Sequence, residues 1–276
     1  MTSLKQIAGS MIVIGIVLAM IGFASGGKWF ILLSDTGVHI PNTQSLSTKS
    51  YELDAFTNIH LSNKHGDINI LPSDHYAIEV DSFETTDVTY AVKDDTLTVE
   101  AKNAKDNAIT IGFRSFNTPT ITIYVPRDAK LSSIEIDTSF GDISLEQLNT
   151  QQLNLLVSLG DTAFENIVAG HTEITQSFGD LTSRQFTSGS LIVENEYSDI
   201  DIDGELNGKS TITSSFGDID LTLLNKESNL GLDLTISFGD IMLNNKSIEG
   251  DFSQSHKSDN QLEVSLTHGD LDLSLQ

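Results

Sequence analysis

The sequence predicts an all-β fold, a parallel β-solenoid of 19-residue coils, preceded by an N-terminal transmembrane α-helix. Three observations predict it. A Gly-Asp motif recurs at a fixed spacing in the second half of the chain. Apolar residues alternate with polar ones inside each repeat, as they do in strands that bury one face. The chain also begins with a long apolar segment that carries almost no charge.

The N-terminal segment has the length and the flanking residues of a membrane anchor. Residues 6–27 contain no charged side chain and include the run MIVIGIVLAMIGF, and a helix of about 20 such residues spans a bilayer core. Lys5 precedes the segment, and Lys28 and Trp29 follow it; tryptophan is typical of the membrane interface. We expect residues 1–5 in the cytoplasm, a helix over residues 6–27 and the rest of the chain outside the membrane.

The composition of this part also allows a signal peptide. Ala24, Ser25 and Gly26 are small residues that suit a cleavage site, although the apolar run is longer than the usual length of about 7–15 residues. Residues 28–50 continue with a short apolar stretch and then become rich in serine and threonine. We expect them to form a juxtamembrane segment and a linker.

Residues 51–131 have the composition of strands but no regular spacing. They contain one Gly-Asp pair, Gly66-Asp67, with apolar residues in phase on both sides. They also contain Asp94-Asp95 between two alternating runs, which predicts a hairpin. Because an uncovered terminal coil would leave an open β edge, we expect this region to cap or start the solenoid.

The repeats occupy residues 132–276. Copies of the motif place glycine at 141, 160, 179 and 217, with Ser198 in the remaining position, so that each step is 19 residues. The next glycines, at 239 and 269, follow after 22 and 30 residues, as expected if loops of 3 and 11 residues are inserted. Self-similarity at a fixed period is typical of stacked repeats, in which each unit contacts only its neighbours.

Apolar positions alternate inside each repeat, for example at Ile134 and Ile136 and at Leu153, Leu155 and Val157. This period of two predicts short strands and excludes helices. Successive coils about 4.8 Å apart would align equivalent residues in columns. One column, which we expect to face the interior, consists of Phe140, Leu159, Phe178, Tyr197, Phe216, Phe238 and His268.

The Gly-Asp motif is interpreted first as the corner at which each coil turns. Glycine accepts a positive φ, and aspartate bonds to backbone amides at a bend. The aromatic residue before them would pack inside. The residues of this structural motif are Phe140, Gly141, Asp142, Gly160, Asp161, Phe178, Gly179, Asp180, Phe216, Gly217, Asp218, Phe238, Gly239, Asp240, Gly269 and Asp270.

Stacked aspartates also suggest cation binding. Carboxylates about 5 Å apart repel one another, and a hard cation such as Ca²⁺ would relieve that repulsion. However, Ca²⁺ takes about 6–8 oxygen ligands, more than one row offers, and the repeat G-G-x-G-x-D is missing from the sequence. Binding would therefore be weak and spread over several coils. The candidate residues are Asp199, Asp201, Asp218, Asp220 and Asp240.

The sequence favours a protein that is not an enzyme. Two carboxylates about 5 Å apart are the arrangement of a retaining glycosidase, so a polysaccharide-active β-helix enzyme is the alternative. Every acidic row produces that spacing, however. The histidines lack the spacing of metal ligands, and nucleophile elbows, phosphate-binding loops and dinucleotide motifs are missing from the sequence. We expect no catalytic residues and no cofactor.

The charge of the chain restricts its partners. The net charge is −24, from 39 acidic and 15 basic side chains. Such a surface repels nucleic acid and anionic lipid and favours divalent cations or cationic partners. The sequence has no cysteine, so it offers neither disulfides nor thiolate metal sites. We expect no nucleic-acid binding.

The segment ITIYVPRDAKLSSIEIDTSFGDI, with the Gly-Asp coils after it, resembles the bacterial "putative adhesin" domain over about residues 51–276. The resemblance implies a β-solenoid, which by fold analogy is right-handed, and it supplies no catalytic residues. Together with the N-terminal helix, it makes the chain similar to membrane-anchored, LiaG-like proteins of the cell-envelope stress response in Gram-positive bacteria.

These observations predict a function in binding or sensing. We expect a membrane-anchored accessory module of the bacterial cell envelope that acts in adhesion or in the envelope-stress response. Its expected partners are the membrane, through the N-terminal helix, and envelope proteins, cationic peptides or cell-wall polymers. The alternatives are the polysaccharide-active enzyme and a structural rod that binds calcium weakly.

Overall fold

The computed structural model describes residues 30–34, 37–39, 47–82, 86–103, 109–112, 119–256 and 258–276. In this part the chain is all-β, with one short 3₁₀ helix over Glu227–Asn229. The strands are β1 Phe30–Ser34, β2 Gly37–His39, β3 Ser47–Glu52, β4 Asn58–Asn63, β5 Asp67–Ser73, β6 Ala77–Ser82, β7 Thr86–Lys93, β8 Thr96–Asn103, β9 Ile109–Gly112, β10 Thr120–Pro126, β11 Leu131–Phe140, β12 Ile143–Leu159, β13 Thr162–Phe178, β14 Leu181–Ser188, β15 Leu191–Tyr197, β16 Ile200–Leu206, β17 Lys209–Phe216, β18 Ile219–Leu223, β19 Gly231–Phe238, β20 Ile241–Leu243, β21 Lys246–Ile248, β22 Phe252–Gln254, β23 Gln261–His268 and β24 Leu271–Leu275.

The chain forms two compact units. The smaller unit comprises residues 1–45 and 105–117, and its described part is a sheet in which β1 pairs antiparallel with β2 and β9. The sequence predicts a juxtamembrane segment and a linker over residues 28–50. Backbone pairing, which a Ser/Thr-rich composition does not exclude, places β1, β2 and the beginning of β3 in that range.

The larger unit is the predicted solenoid. Each coil has one strand before the Gly-Asp corner and one after it, and equivalent residues of successive coils pair in parallel. We call the strands before the corners the leading face and those after them the trailing face. β12 and β13 contribute to both faces, because each continues through the second turn of its coil.

The two faces have the following strand orders. The leading face is β7, β8, β4, β11, the second half of β12, the second half of β13, β15, β17, β23, β19 and β22. The trailing face is β3, β6, β10, β5, the first half of β12, the first half of β13, β14, β16, β18, β24, β20 and β21.

The core lies between these two faces. Its members are the alternating aliphatic residues of both, such as Ile134 and Ile136 on the leading face and Ile143 and Leu145 on the trailing face, all at most 1% exposed. The predicted strand periodicity is thus confirmed. Apolar burial of this kind contributes about 25 cal/mol per Å², and a single coil has no second layer with which to achieve it.

The region before the repeats starts the solenoid and closes its first end. The coil of Gly66-Asp67 stacks on the coil of Gly141, since β4 pairs with β11 and β5 with β12. Beyond it, β7, β6 and β3 pair antiparallel at the margins of the two faces. The hairpin predicted at Asp94-Asp95 joins β7 to β8 and is confirmed; both aspartates have positive φ, as a two-residue hairpin turn requires.

The last two coils are not stacked in chain order. β23 lies between β17 and β19, and β24 lies between β18 and β20. The sequence interpretation assumed that the spacings of 22 and 30 residues only insert loops into a regular order of coils. In the structure, the order of the coils changes as well. Residues 224–230 carry the chain past one vacant level, and the C-terminal coil returns to fill it. The register depends on pairing between distant segments, which local spacing does not specify.

The predicted transmembrane helix, residues 6–27, lies outside the described residues. Among the residues that the structure does describe, no helix combines the length and the hydropathy of a membrane-spanning segment.

Candidate functional site

The Gly-Asp corners present an exposed apolar column. Its side chains are 41% exposed at Phe216 and 66% at Phe238, and the others are also exposed. The expectation that this column faces the interior is therefore wrong. We call the column the aromatic ridge; its members, in spatial order, are His65, Phe140, Leu159, Phe178, Tyr197, Phe216, His268 and Phe238.

The ridge lies outside because another column fills the inner side of the corner. Two residues before the ridge, Thr138, Val157 and Ser214 are at most 1% exposed. In other coils the same position holds a buried amide: Asn63 Nδ2 donates to the carbonyl oxygen of Gly66, and Asn195 Nδ2 to that of Ser198, both at 2.6 Å. Strand alternation alone would place both columns inside, but each ridge residue is the last of its strand and lies directly before the corner.

The rings of the ridge stack on one another along five consecutive coils. The centroid distances are 5.1 Å for Phe178–Tyr197 and Tyr197–Phe216, 4.6 Å for Phe216–His268 and 4.8 Å for His268–Phe238, with interplanar angles of 6–13°. The faces of the three inner rings are thus covered by neighbouring rings. What they expose to solvent is their edges.

A second column, the aspartate row, runs beside the ridge. In each pair of adjacent coils, the Oδ1 atom of one aspartate accepts a hydrogen bond from the backbone amide of the next. The donor–acceptor distances are 3.1 Å for Asp142 to Asp67, 2.9 Å for Asp161 to Asp142, 2.9 Å for Asp180 to Asp161, 3.2 Å for Asp199 to Asp180, 2.8 Å for Asp218 to Asp199, 2.8 Å for Asp270 to Asp218 and 2.9 Å for Asp240 to Asp270. The carboxylates therefore bond between coils rather than within a bend.

Glycine is required between the ridge and the row by close backbone approach. Gly217 has a φ of 116°, and a Cβ atom there would overlap the carbonyl oxygen of Ser198 in the preceding coil. Ser198 itself does not have a positive φ. It is buried, and its hydroxyl donates to Asn195 Oδ1. One coil thus turns without glycine because the serine bonds inward.

The structure brings four of the five candidate cation ligands together. Asp201 and Asp220 pair across adjacent strands of the trailing face, next to Asp199 and Asp218 of the row. Asp240 lies apart from them, because the coil of Asp270 intervenes. The sequence interpretation missed Asp272, which pairs with Asp220, because the order of the last coils was not apparent from spacing.

Charge crowding affects the acidic patch, which consists of Asp199, Asp201, Asp218, Asp220 and Asp272. Burial, followed by the charges of Asp272, Asp201, Asp218 and Asp199, raises the pKa of Asp220 above 3.8. At the first end of the row, burial also raises the pKa of Asp67. In the part of the chain that the structure describes, no three acidic or histidine side chains converge as metal ligands do. Calcium binding by these residues therefore stays a prediction.

Two shallow grooves lie away from the corners. One, of about 320 Å³, lies on the leading face, where Glu135, Asp137 and Glu173 surround the exposed side chain of Leu156. The other, of about 310 Å³, lies at the first end of the solenoid, between Glu52 and Tyr90. Both are open, and neither includes a residue of the ridge or the row. The corner is therefore the more extended of the candidate surfaces.

Two of the solved structures that resemble the chain are bacterial proteins. One, from Bacteroides fragilis and described as a putative adhesin, is 18% identical, with 86% of this chain and 100% of that chain covered and a TM-score of 0.54. The other, from Parabacteroides distasonis and also described as a putative adhesin, is 14% identical, with 84% and 98% covered and a TM-score of 0.46. The first similarity shows a shared fold.

Sequence comparison gives the family. No curated protein matches the chain. Residues 56–219, which extend from the first coil to the corner of Gly217, match the Toastrack DUF4097 family. This match, together with the fold shared with the Bacteroides fragilis protein, confirms the resemblance to the putative adhesin domain, whereas the similarity to LiaG-like proteins stays a prediction. The chain belongs to the Toastrack DUF4097 family.

Proposed function

We propose that the protein is a non-catalytic binding module of the bacterial cell envelope, anchored by residues 6–27 with the solenoid outside the membrane. The observation that carries the proposal is the corner surface. It repeats the same exposed side chains from coil to coil, so it offers a linear contact surface rather than one unique pocket. The fold shared with a protein described as a putative adhesin supports a role in binding.

A role in the envelope-stress response is the finer part of this proposal. It rests on the similarity to membrane-anchored, LiaG-like proteins and on the acidic solenoid, whose charge favours cationic envelope components. A gene for an envelope-stress sensor or regulator next to the gene for this chain would support it. Induction of the gene by agents that damage the envelope is the expected result, and unchanged expression would contradict it.

Cell fractionation tests the location. The full chain with a C-terminal tag should remain in the membrane fraction after a high-salt wash, and external protease should remove the tag from intact cells. Substituting Ile14 and Leu18 by lysine should release the chain from the membrane, because charged side chains at the centre of a helix oppose insertion. A tag that is protected in intact cells would contradict the proposed orientation.

The polysaccharide-active alternative has one observation in its favour. The raised pKa of Asp220, beside Asp201 and Asp272 in adjacent strands, resembles the pairing of an acid with a second carboxylate in retaining glycosidases. Incubating the full chain with cell-wall polysaccharides tests it. We expect no new reducing ends. Turnover that disappears in Asp220→Asn but persists in Asp251→Asn would establish the enzyme instead.

A further inference from the structure

We propose that the aromatic ridge and the aspartate row together bind cationic peptide segments that carry aromatic or large aliphatic side chains. This inference rests on the proposed function as a binding module and adds a surface and a partner class to it. The ridge supplies apolar contact and the row supplies negative charge. Both columns run the length of the repeats on the same corners of the coils.

The exposure of the ridge calls for a partner. Phe140, Phe178, Tyr197, Phe216 and Phe238 are each more than 40% exposed, and they are contiguous with the exposed Leu159. Exposed apolar side chains that occur singly are ordinary, but a contiguous apolar strip with a polar margin is typical of an interaction surface. Stacking along the column also stabilises the coils. Because that role does not require exposed ring edges, stacking alone does not explain the exposure.

Ring orientation selects among apolar partners. Sugars stack on the faces of aromatic rings, and the faces of Tyr197, Phe216 and His268 are already covered by neighbouring rings. The exposed edges carry partial positive charge, and they contact the face of another aromatic ring favourably in a T-shaped arrangement. Aromatic and aliphatic side chains of a peptide therefore fit the ridge better than a polysaccharide does.

The row determines the charge of the partner. Each aspartate follows its ridge residue by two positions, and Oδ1 is committed to the amide of the adjacent coil. Among the described residues, no donor hydrogen-bonds to Oδ2 of these carboxylates, and none of the ion pairs includes them. A second copy of the chain or an anionic lipid would place negative charge against this row. Lysine or arginine side chains would neutralise it.

A defined peptide tests the proposal. The probe is a fluorescein-labelled synthetic peptide of alternating lysine and tryptophan, added to the immobilised full chain, with a detergent-only surface as the blank. Two comparison peptides replace tryptophan by serine or lysine by glutamate. Because both charge and apolar contact are needed, each comparison peptide should bind at least about tenfold more weakly, which corresponds to losing one strong contact. Equal binding of the glutamate peptide would overturn the proposal.

Variants then locate the site. Phe178→Ser, Tyr197→Ser and Phe216→Ser together should weaken binding of the lysine-tryptophan peptide at least about tenfold. The matched control, Leu156→Ser with Ile192→Ser, removes exposed apolar side chains from the leading face and should change binding less than about twofold. If the serine variant does not fold, the same three positions are changed to leucine, the residue already present at 159. Because leucine keeps apolar contact but not the aromatic edges, it should weaken binding of the lysine-tryptophan peptide measurably, by less than about tenfold.

The aspartates have a variant that keeps the fold. Asp180→Asn, Asp199→Asn and Asp218→Asn remove charge while retaining an oxygen that accepts the amide hydrogen bond of the adjacent coil. We expect weaker binding and a shallower dependence on salt. Unchanged affinity in these variants and in the folded ridge variants would overturn the proposal. If the chain is still anchored with the solenoid outside, unchanged affinity would overturn the peptide proposal but not the proposed location. A solenoid found inside the cell would overturn the proposed location but would not change the result of the peptide assay.

Discussion

At the corner, three consecutive residues have separate physical tasks. The ridge side chain stacks on its equivalents in adjacent coils. The glycine leaves space for the carbonyl oxygen of the coil on one side, and the aspartate accepts the amide hydrogen of the coil on the other side. None of these tasks is completed within one coil. The motif is therefore a device for joining coils, and its exposed edges and free carboxylate oxygens remain available for partners.

Gly217→Ala should destabilise the protein strongly. The new Cβ would overlap the carbonyl oxygen of Ser198 at a φ of 116°, so both coils must shift, and we expect a loss of about 3 kcal/mol or more in the free energy of unfolding. Gly250→Ala is the matched control: its φ is 73°, but no atom lies near the new Cβ. It should cost only about 1 kcal/mol. Urea denaturation measures both, and equal losses would show that close approach is unimportant.

Asp220→Asn should stabilise the protein at neutral pH. The folded state raises the pKa of this carboxyl above 3.8, so the folded chain binds the proton more tightly than the unfolded chain does. The stability that this group contributes is fully present below the pKa of the unfolded chain, and it is lost as the pH rises through the raised pKa of the folded chain. Because solvent screens the exposed group, we expect a gain below about 1 kcal/mol at pH 7.

Melting curves at several pH values, compared with the parent chain, measure this gain. The gain from Asp220→Asn should disappear in acid, where the native carboxyl is already neutral. Asp251→Asn, which removes an exposed aspartate outside the acidic patch, serves as the control and should give no such pH dependence. A gain from Asp220→Asn that is independent of pH would contradict the electrostatic explanation.

Among the elements, β23 and β24 have an unusual position, because the last segment of the chain occupies an interior level of the solenoid. β17 and β19 both pair with β23 in parallel, and the amides of Gly217 and Gly269 donate to His268 and Phe238 across the two boundaries. The C-terminal coil therefore connects the coil of β19 and β20 to the rest of the solenoid.

Ending the chain at Asn260 should loosen the coils on both sides of the vacant level. Strands β17 and β18 would keep β15 and β16 but lose one parallel partner each, and β19 and β20 would lose their parallel pairing with β23 and β24. The amides of these four strands should therefore exchange with solvent much faster. Strands β11–β13 should keep their protection, because coils interact mainly with nearest neighbours. Hydrogen exchange by mass spectrometry measures this. Retained protection of β19 would show instead that it can pair directly with β17.

For the whole solenoid, the important quantity is the phase of the repeat. Deleting residues 153–171 removes one full period, since Thr172 pairs with Leu153 in the parent register. The shortened chain should fold with the same circular dichroism spectrum and a modestly lower melting temperature, because one interface between coils is lost. Deleting residues 154–171 removes one residue fewer. It should prevent folding beyond the junction, because a slip of one residue moves every side chain to the opposite face. Equal stability of both deletions would contradict this explanation.

Features that repeat locally could be predicted from the amino-acid sequence alone. The period of 19, the alternation at Ile134 and Ile136 and the hairpin at Asp94-Asp95 follow from side-chain periodicity and turn chemistry, and the structure contains all three. The family could also be predicted, because its pattern of apolar residues and Gly-Asp motifs can be recognised in short, continuous segments of the sequence.

Two features depend on contacts between distant segments: the side of the corner that each column occupies, and the order of the last coils. Phe216 continues the alternation of buried residues, yet it is exposed, because Ser214 already fills the inner side of the corner and Phe216 ends its strand directly before the glycine. The motif at Gly269 follows Gly239 in sequence but stacks between Gly217 and Gly239. Side-chain periodicity describes a straight strand, whereas a corner and a returning coil depend on the positions of distant segments; the ridge and the completed acidic patch exist only after those segments have met.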